Sequence, residues 1–339
     1  MSRISVILFV CLVATTTTPA HAGATLNKVK VGASLPCGVN IEEPEWSTQD
    51  AHGNHALLDL DICKAVAVAV LGANAKFTVK SYRDEEDALK GLKSGEIALL
   101  ASGSPNFLNS ANTGFGFARP IFYDYQGFLV NKAMGITSPE DLAGKKVCFL
   151  GGTEIEYQLG SYMTRQKIKW LPFPFQEEGE MEAALITGNC AAVTADVSQL
   201  AYERIAFKGM AKNFEILPDV IAKDPLAPTY LLDDPQWATI VNWTVEALIQ
   251  AEESGVMQSN VEEMKKSDDL VIGRLLGSRR GYGQLIGLDD AWAARVIEAV
   301  GNYGEMFERN LGSGSAMKLP RGPNQLWTEG GLMYALPMR

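Results

Sequence analysis

Apolar runs too short for a helix alternate with apolar positions at helical spacing along most of this chain. Residues 28–40, 77–82, 97–102 and 123–130 read as strands, with helices over 62–71 and 85–93 between them. Asp61 stands where the cap of the first of these helices is expected. The alternation resumes after Asn131 and Lys132. A short helix from Ser138, a strand over 146–150, a helix to about residue 166 and a strand near 172–175 follow in turn. A helix over 180–187, a strand over 190–194, a helix over 198–207 and a strand over 214–221 complete this part. Such a pattern predicts sheets flanked by helices. Beyond the proline-marked segment 223–228 the spacing is helical over 235–253, 261–266, 270–276 and 289–310. From Gly312 onward the chain is a glycine- and proline-rich tail carrying Trp327 and Tyr334.

Two turns in this pattern have the chemistry of a ligand grip. After the strand 146–150, Gly151 and Gly152 let the backbone approach closely, and Thr153 or Glu154 opens a helix whose free N–H groups point into the same space. An ordinary strand-to-helix loop is the plainer alternative. The run Ser102-Gly103-Ser104-Pro105-Asn106 follows the C-terminal end of another strand, where ligands gather in open α/β sheets, or is simply a serine-rich turn.

Composition narrows the class. With 339 residues, 47% of them hydrophobic, the chain can build one large or two medium domains, and its net charge of -10 argues against nucleic acid and anionic membranes as partners. Arg3, the apolar run 4–14 and Ala20-His21-Ala22 predict that residues 1–22 are a cleaved export signal. That apolar run is shorter than the roughly 20 residues a membrane span needs. Cys11 leaves with the signal. Cys37, Cys63, Cys148 and Cys190 remain, an even number that suggests two disulfides, with buried free thiols as the alternative. None has metal-ligand spacing, and of the histidines only His52 and His55 would survive cleavage, both in a polar loop. No metal, cofactor or catalytic dyad is therefore expected.

Several motifs go further. Cys37-Gly38-Val39-Asn40, Asp59-Leu60-Asp61-Ile62-Cys63-Lys64-Ala65-Val66, Tyr123-Asp124 with Gln126-Gly127-Phe128, and Asp234-Pro235-Gln236-Trp237 occur in order. The chain then carries Asn302-Tyr303-Gly304-Glu305-Met306-Phe307-Glu308-Arg309-Asn310, Leu326-Trp327 and Gly330-Gly331. In these the chain resembles the general L-amino-acid-binding proteins of ABC importers, over nearly all of its mature length. The resemblance implies an α/β, two-lobed, type II periplasmic-binding-protein fold with a helical C-terminal extension. Lobe one would comprise 28–130, lobe two 131–222, and the return to lobe one plus the extension 223–339. It implies a monomer that closes on a small solute by a hinge and passes it to an inner-membrane permease. Trp46 would pack on the solute, Ser102 to Pro105 would bind a carboxylate, Asp196 an α-amino group, and Thr153 would supply a hydroxyl. The implied disulfides are Cys37–Cys63 and Cys148–Cys190.

The chain departs from the family where a carboxylate would sit. Ser110 occupies the position of the family's arginine, and no Arg or Lys lies between Lys93 and Arg119. Ser104-Pro105 replaces a Thr-Thr pair and removes a backbone donor, and Glu154 replaces a threonine at the lobe-two helix start. With Asp196, Glu154 and the loop acids Glu42, Glu43 and Glu45, the expected ligand shifts toward a cationic amine or a neutral polar solute. The loop acids read equally well as a solvated face. Two other classes stay open: an accessory protein of a periplasmic enzyme or receptor, and a lyase using Glu154 or Asp196 as acid or base.

Overall fold

The first half of the fold is laid down as α1 (Ala24–Gly32), β1 (Ser34–Asn40), β2 (Thr48–Gln49), β3 (His55–Ala56) and α2 (Leu58–Leu71). Then come β4 (Lys76–Tyr82), α3 (Glu85–Ser94), β5 (Leu99–Gly103), α4 (Phe107–Ala111) and β6 (Phe115–Phe117). The second half comprises β7 (Phe122–Asn131), β8 (Lys146–Leu150), α5 (Glu154–Arg165), β9 (Leu171–Phe175), α6 (Glu178–Ile186), β10 (Ala192–Asp196), α7 (Val197–Ala206) and β11 (Phe214–Ile216). The long strand β12 (Ala222–Leu231) returns to the first half. Helices α8 (Pro235–Glu253), α9 (Val261–Met264), α10 (Leu270–Leu275), α11 (Tyr282–Leu285), α12 (Trp292–Val300) and α13 (Tyr303–Asn310) follow. This computed structural model describes residues 23–40, 48–49, 55–56, 58–82, 84–111 and 114–339. The expected signal 1–22, the loop acids Glu42, Glu43 and Glu45, Trp46 and His52 lie outside the described residues.

The strands run in the order β4-β1-β5-β12-β7-β10-β8-β9, with β6 beside β12 and β11 beside β7. In lobe one, β1 is parallel to β4 and β5; in lobe two, β8 is parallel to β9 and β10. The lobes are joined by one antiparallel ribbon, residues 122–126 of β7 against 222–226 of β12. Lobe one packs α2, α8, α12 and α13 on one face of its strands, around Ile62, Trp237, Ile297 and Phe307, while Tyr82, Leu92 and Phe115 form a smaller core on the other. Lobe two covers one face with α5, through Leu159 and Met163, and the other with α6 and α7, through Met181 and Leu200. Both disulfides form within a lobe, Cys37–Cys63 between β1 and α2 and Cys148–Cys190 ahead of β10, with Cα separations of 5.9 and 6.0 Å.

Three expectations are corrected, the first two by contacts distant in sequence. The first residues of the segment read as a strand from Lys28 are helical. Alternating KVKV has strand period, but Leu26 and Val29 are buried one turn apart, and Asp234, far along the chain, accepts the Leu26 N–H at 2.8 Å. Asp61 does not cap α2. The helix already begins at Leu58, and the Asp61 carboxylate receives Arg309 and Asn310 from α13 at 2.6 and 2.7 Å. The helix expected over 289–310 is two helices broken at Gly301, whose φ of +81° favours glycine. Asn302 restarts the chain as α13 with a capping box to Glu305.

The C-terminal motif is structural. Tyr303 donates its hydroxyl to Ile121 O at 2.8 Å, and Asn324 accepts the Tyr123 N–H at 2.7 Å. The extension thus holds the chain where it enters the ribbon. Arg204 of α7 donates to Met317 O, tying lobe two to the same extension. Among the described residues no helix is long and apolar enough to cross a membrane.

Candidate functional site

The ribbon and the C-terminal strand ends meet in one acidic region. Asp124 of β7 lies directly opposite Asp224 of β12, and two residues further along β7 Gln126 lies opposite Asp196, the last residue of β10. Strand alternation puts Asp124 and Gln126 on one face, the face covered by α5. Gln126 donates from Nε2 to Ile155 O of α5 and to Thr194 Oγ1, both at 3.0 Å.

Asp196 precedes α7 as its N-cap residue, yet its side chain makes no capping bond, so the carboxylate is not used up by the helix. Ser198 turns back instead and donates its hydroxyl to Asp124. Asp124 is only 4% exposed. Burial pushes its carboxyl up to about 7, the Asp196 charge adds to this, and Ser198 and the Tyr125 N–H oppose it. Asp224 is also pushed up to about 7, first by burial and then by Asp196 and Glu85. Burial raises Asp196 as well. Asp124 and Asp224 thus both feel the charge of Asp196, and full ionisation of all three is disfavoured. A cation entering there would relieve the repulsion.

A cavity of about 690 Å³ wraps this ribbon. Ser104, Pro105 and Asn106 line it from lobe one, Asp124, Tyr125, Lys223 and Asp224 from the ribbon, and Pro323 and Leu332 from the C-terminal extension. Lys223 alternates to the strand face opposite Asp224.

The residues singled out in the sequence divide. Ser104 comes to the cavity, but its N–H is already donated to Glu85 Oε1 at 2.6 Å. Ser102 points inward and donates to Asp59 at 2.6 Å; burial pushes that carboxyl up to about 6, against the lowering effect of the bond. Ser110 is exposed on α4 and donates to Asn106 O at 2.7 Å. Gly152, at φ +78°, gives its N–H to Glu156 at 2.7 Å; Thr153 is the N-cap residue of α5 and donates its hydroxyl to Leu150 O at 2.7 Å. Glu154 is exposed and accepts from Gln158 at 2.6 Å. Gly152, Thr153 and Glu154 begin the α5 turn whose Ile155 carbonyl holds Gln126, although they do not line the cavity itself.

Sequence reading missed Glu85, Asp124, Gln126, Glu156 and Asp224 as site residues. Asp124 and Gln126 sat inside a recognised motif, which was a usable signal. Glu85 reads as an ordinary acid in a helix first turn, and Asp224 joins Asp124 only through the register of a ribbon about 100 residues apart in sequence. Among the described residues no group of three His, Cys, Asp or Glu side chains could hold a metal ion.

Two lobes joined by a two-strand ribbon, with a cavity at the ribbon, define a type II periplasmic-binding-protein fold. Comparison with known proteins gives the family. The chain is 41% identical over 325 residues to the general L-amino acid-binding periplasmic protein AapJ of Rhizobium johnstonii, covering 94% of each chain. It is 37% identical over 322 residues to the glutamate/glutamine/aspartate/asparagine-binding protein BztA of Rhodobacter capsulatus, covering 94% of this chain and 95% of that one. A family model described as NMT1/THI5 like matches residues 73–255. Among solved structures, a periplasmic binding protein of an ABC transporter from Brucella ovis, with glutathione bound, superposes with a TM-score of 0.81 at 38% identity. That match covers 93% of this chain and 99% of the other. The chain belongs to the periplasmic amino-acid-binding proteins of ABC transporters. These relatives are solute-binding proteins rather than enzymes.

Proposed function

We propose that the cleft at the ribbon captures one small amine-bearing solute between lobe one (28–130 with the return from 223) and lobe two (131–222). Asp196 holds the ammonium group, and the loaded protein, a monomer in the periplasm, delivers it to an inner-membrane permease. The observation that carries this reading is the uncapped Asp196 carboxylate at the end of β10, opposite Gln126 and within the field of Asp124 and Asp224. Amino acids and glutathione, named for the relatives, share an ammonium group, which such a site suits. Ser104 lines the cleft from lobe one, and the α5 turn that begins at Gly152, Thr153 and Glu154 stands behind it through the Ile155–Gln126 bond. The protein has no catalytic role in this account, and the C-terminal extension steadies the hinge.

The test is a thermal-shift screen of refolded, ligand-free protein against amino acids, amines and small amides. The account expects amine-bearing solutes to raise the melting temperature of the wild type and not of Asp196→Asn. Equal shifts in both proteins would refute the role of Asp196.

A further inference from the structure

Donors and acceptors in the cleft are unequally available. On lobe one, the Ser104 N–H, which a ligand carboxylate would need, is held by Glu85 Oε1 at 2.6 Å. Pro105 has no N–H to offer, and Ser110 puts no positive charge nearby. On lobe two the Gly152 N–H is likewise held by the chain's own Glu156 at 2.7 Å.

Acceptors, by contrast, are left over. Asp196 caps nothing. Gln126 is 2% exposed, and while its Nε2 is bonded, its Oε1 has no partner among the described residues. A buried acceptor without a donor is unfavourable until something supplies one. Register brings this oxygen's residue opposite Asp196 and two residues from Asp124 on the same strand face. Asp224 lies in the field of both Asp196 of lobe two and Glu85 of lobe one.

We propose that Glu85 sets the specificity of the cleft: its carboxylate fills the anion position of the 103–105 loop, so the solute is a donor-rich ammonium cation of the short-diamine class. Such a solute reaches from Glu85 on lobe one to Asp196 on lobe two. This rests on the cleft reading above. A ligand carboxylate brought to the Ser104 N–H meets Glu85 in place and is repelled; an ammonium group is attracted by the same oxygen atoms.

Calorimetry on refolded, ligand-free protein tests it, with 1,4-diaminobutane and L-glutamine as probes against wild type, Glu85→Ala, Glu85→Gln and Asp196→Asn. The wild type is expected to prefer the diamine. Glu85→Ala should lose about tenfold in diamine affinity and gain a similar factor for L-glutamine, an overall shift of roughly 100-fold in preference. Glu85→Gln keeps the shape and can still accept from Ser104, so it should weaken diamine binding without admitting L-glutamine. If the wild type prefers L-glutamine, or the preference survives in Glu85→Ala, while Asp196→Asn abolishes binding, the role of Glu85 is refuted and the cleft stands. If Asp196→Asn binds like the wild type, or the wild type binds neither probe, the cleft reading falls and this proposal with it.

Discussion

Asp124 and Asp224 stand directly opposite each other in the only ribbon joining the lobes among the described residues, at the pair of positions where the chain crosses out and back. Like charges at paired strand positions destabilise a ribbon. Here burial and the neighbouring Asp196 compound the effect, and both carboxyls are pushed up to about 7. The repulsion sits at the crossing between the lobes, and positive charge placed beside it would relieve it.

Stability should therefore depend on pH in an unusual direction. The unfolded chain releases these protons near the ordinary value of 3.8, and the folded chain holds them to about 7. Over that window the folded state binds more protons, so stability falls as pH rises. One group contributes a slope of at most ~1.4 kcal/mol per pH unit. Urea midpoints measured across the window should fall less steeply for Asp124→Asn than for the wild type. Parallel slopes would contradict the pairing.

Binding of an amine should release protons. A cation beside Asp196 favours the ionised forms of the neighbouring Asp124 and Asp224, so protons leave when the solute arrives at pH 6 to 7. Calorimetric heats in two buffers of different ionisation enthalpy should then differ in the sense of release. Identical heats, or net uptake, would rule this out.

Asp234 is fully buried and caps two helices at once, accepting the Leu26 N–H of α1 at 2.8 Å and the Trp237 N–H of α8 at 2.9 Å. Asp234→Ala is expected to cost roughly 2–4 kcal/mol, the sum of two caps and their buried, unsatisfied donors. Denaturant unfolding gives the number. A loss below about 0.5 kcal/mol, the range of ordinary surface changes, would show that α1 is held by its apolar contacts alone.

The lobe-two disulfide closes a separation of 42 residues. Replacing Cys148 and Cys190 together by serine should destabilise by roughly 3–4 kcal/mol through the freed unfolded chain. Hydrogen exchange should rise in β8 to β10 and leave β1 and α2 protected, because the Cys37–Cys63 bond holds them separately. Uniform deprotection would mean the lobes unfold as one unit.

Local chemistry made much of the fold legible. The strand of Val147 and Phe149, the glycine turn and the Thr153 start of α5 are all encoded within a dozen residues, and α8, Pro235–Glu253, is likewise written in its own local spacing. Where distant contacts decide, the reading failed. The segment from Lys28 begins within a helix tied to Asp234 through Leu26, and Asp61 serves Arg309 instead of its own helix; Gly301, by contrast, breaks an apolar spacing through its own local backbone. The acidic site was half visible. Asp196 stands out at a strand end, but nothing near Glu85 announces that it binds Ser104, and nothing near Asp224 announces Asp124.

The most direct measurement is a crystal structure of the protein with an amine-bearing solute that calorimetry shows to bind. The account predicts the ammonium nitrogen within about 3 Å of an Asp196 carboxylate oxygen, the distance of a charge-assisted hydrogen bond, with the two lobes closed over it. A solute lodged elsewhere, with Asp196 left facing water, would contradict it.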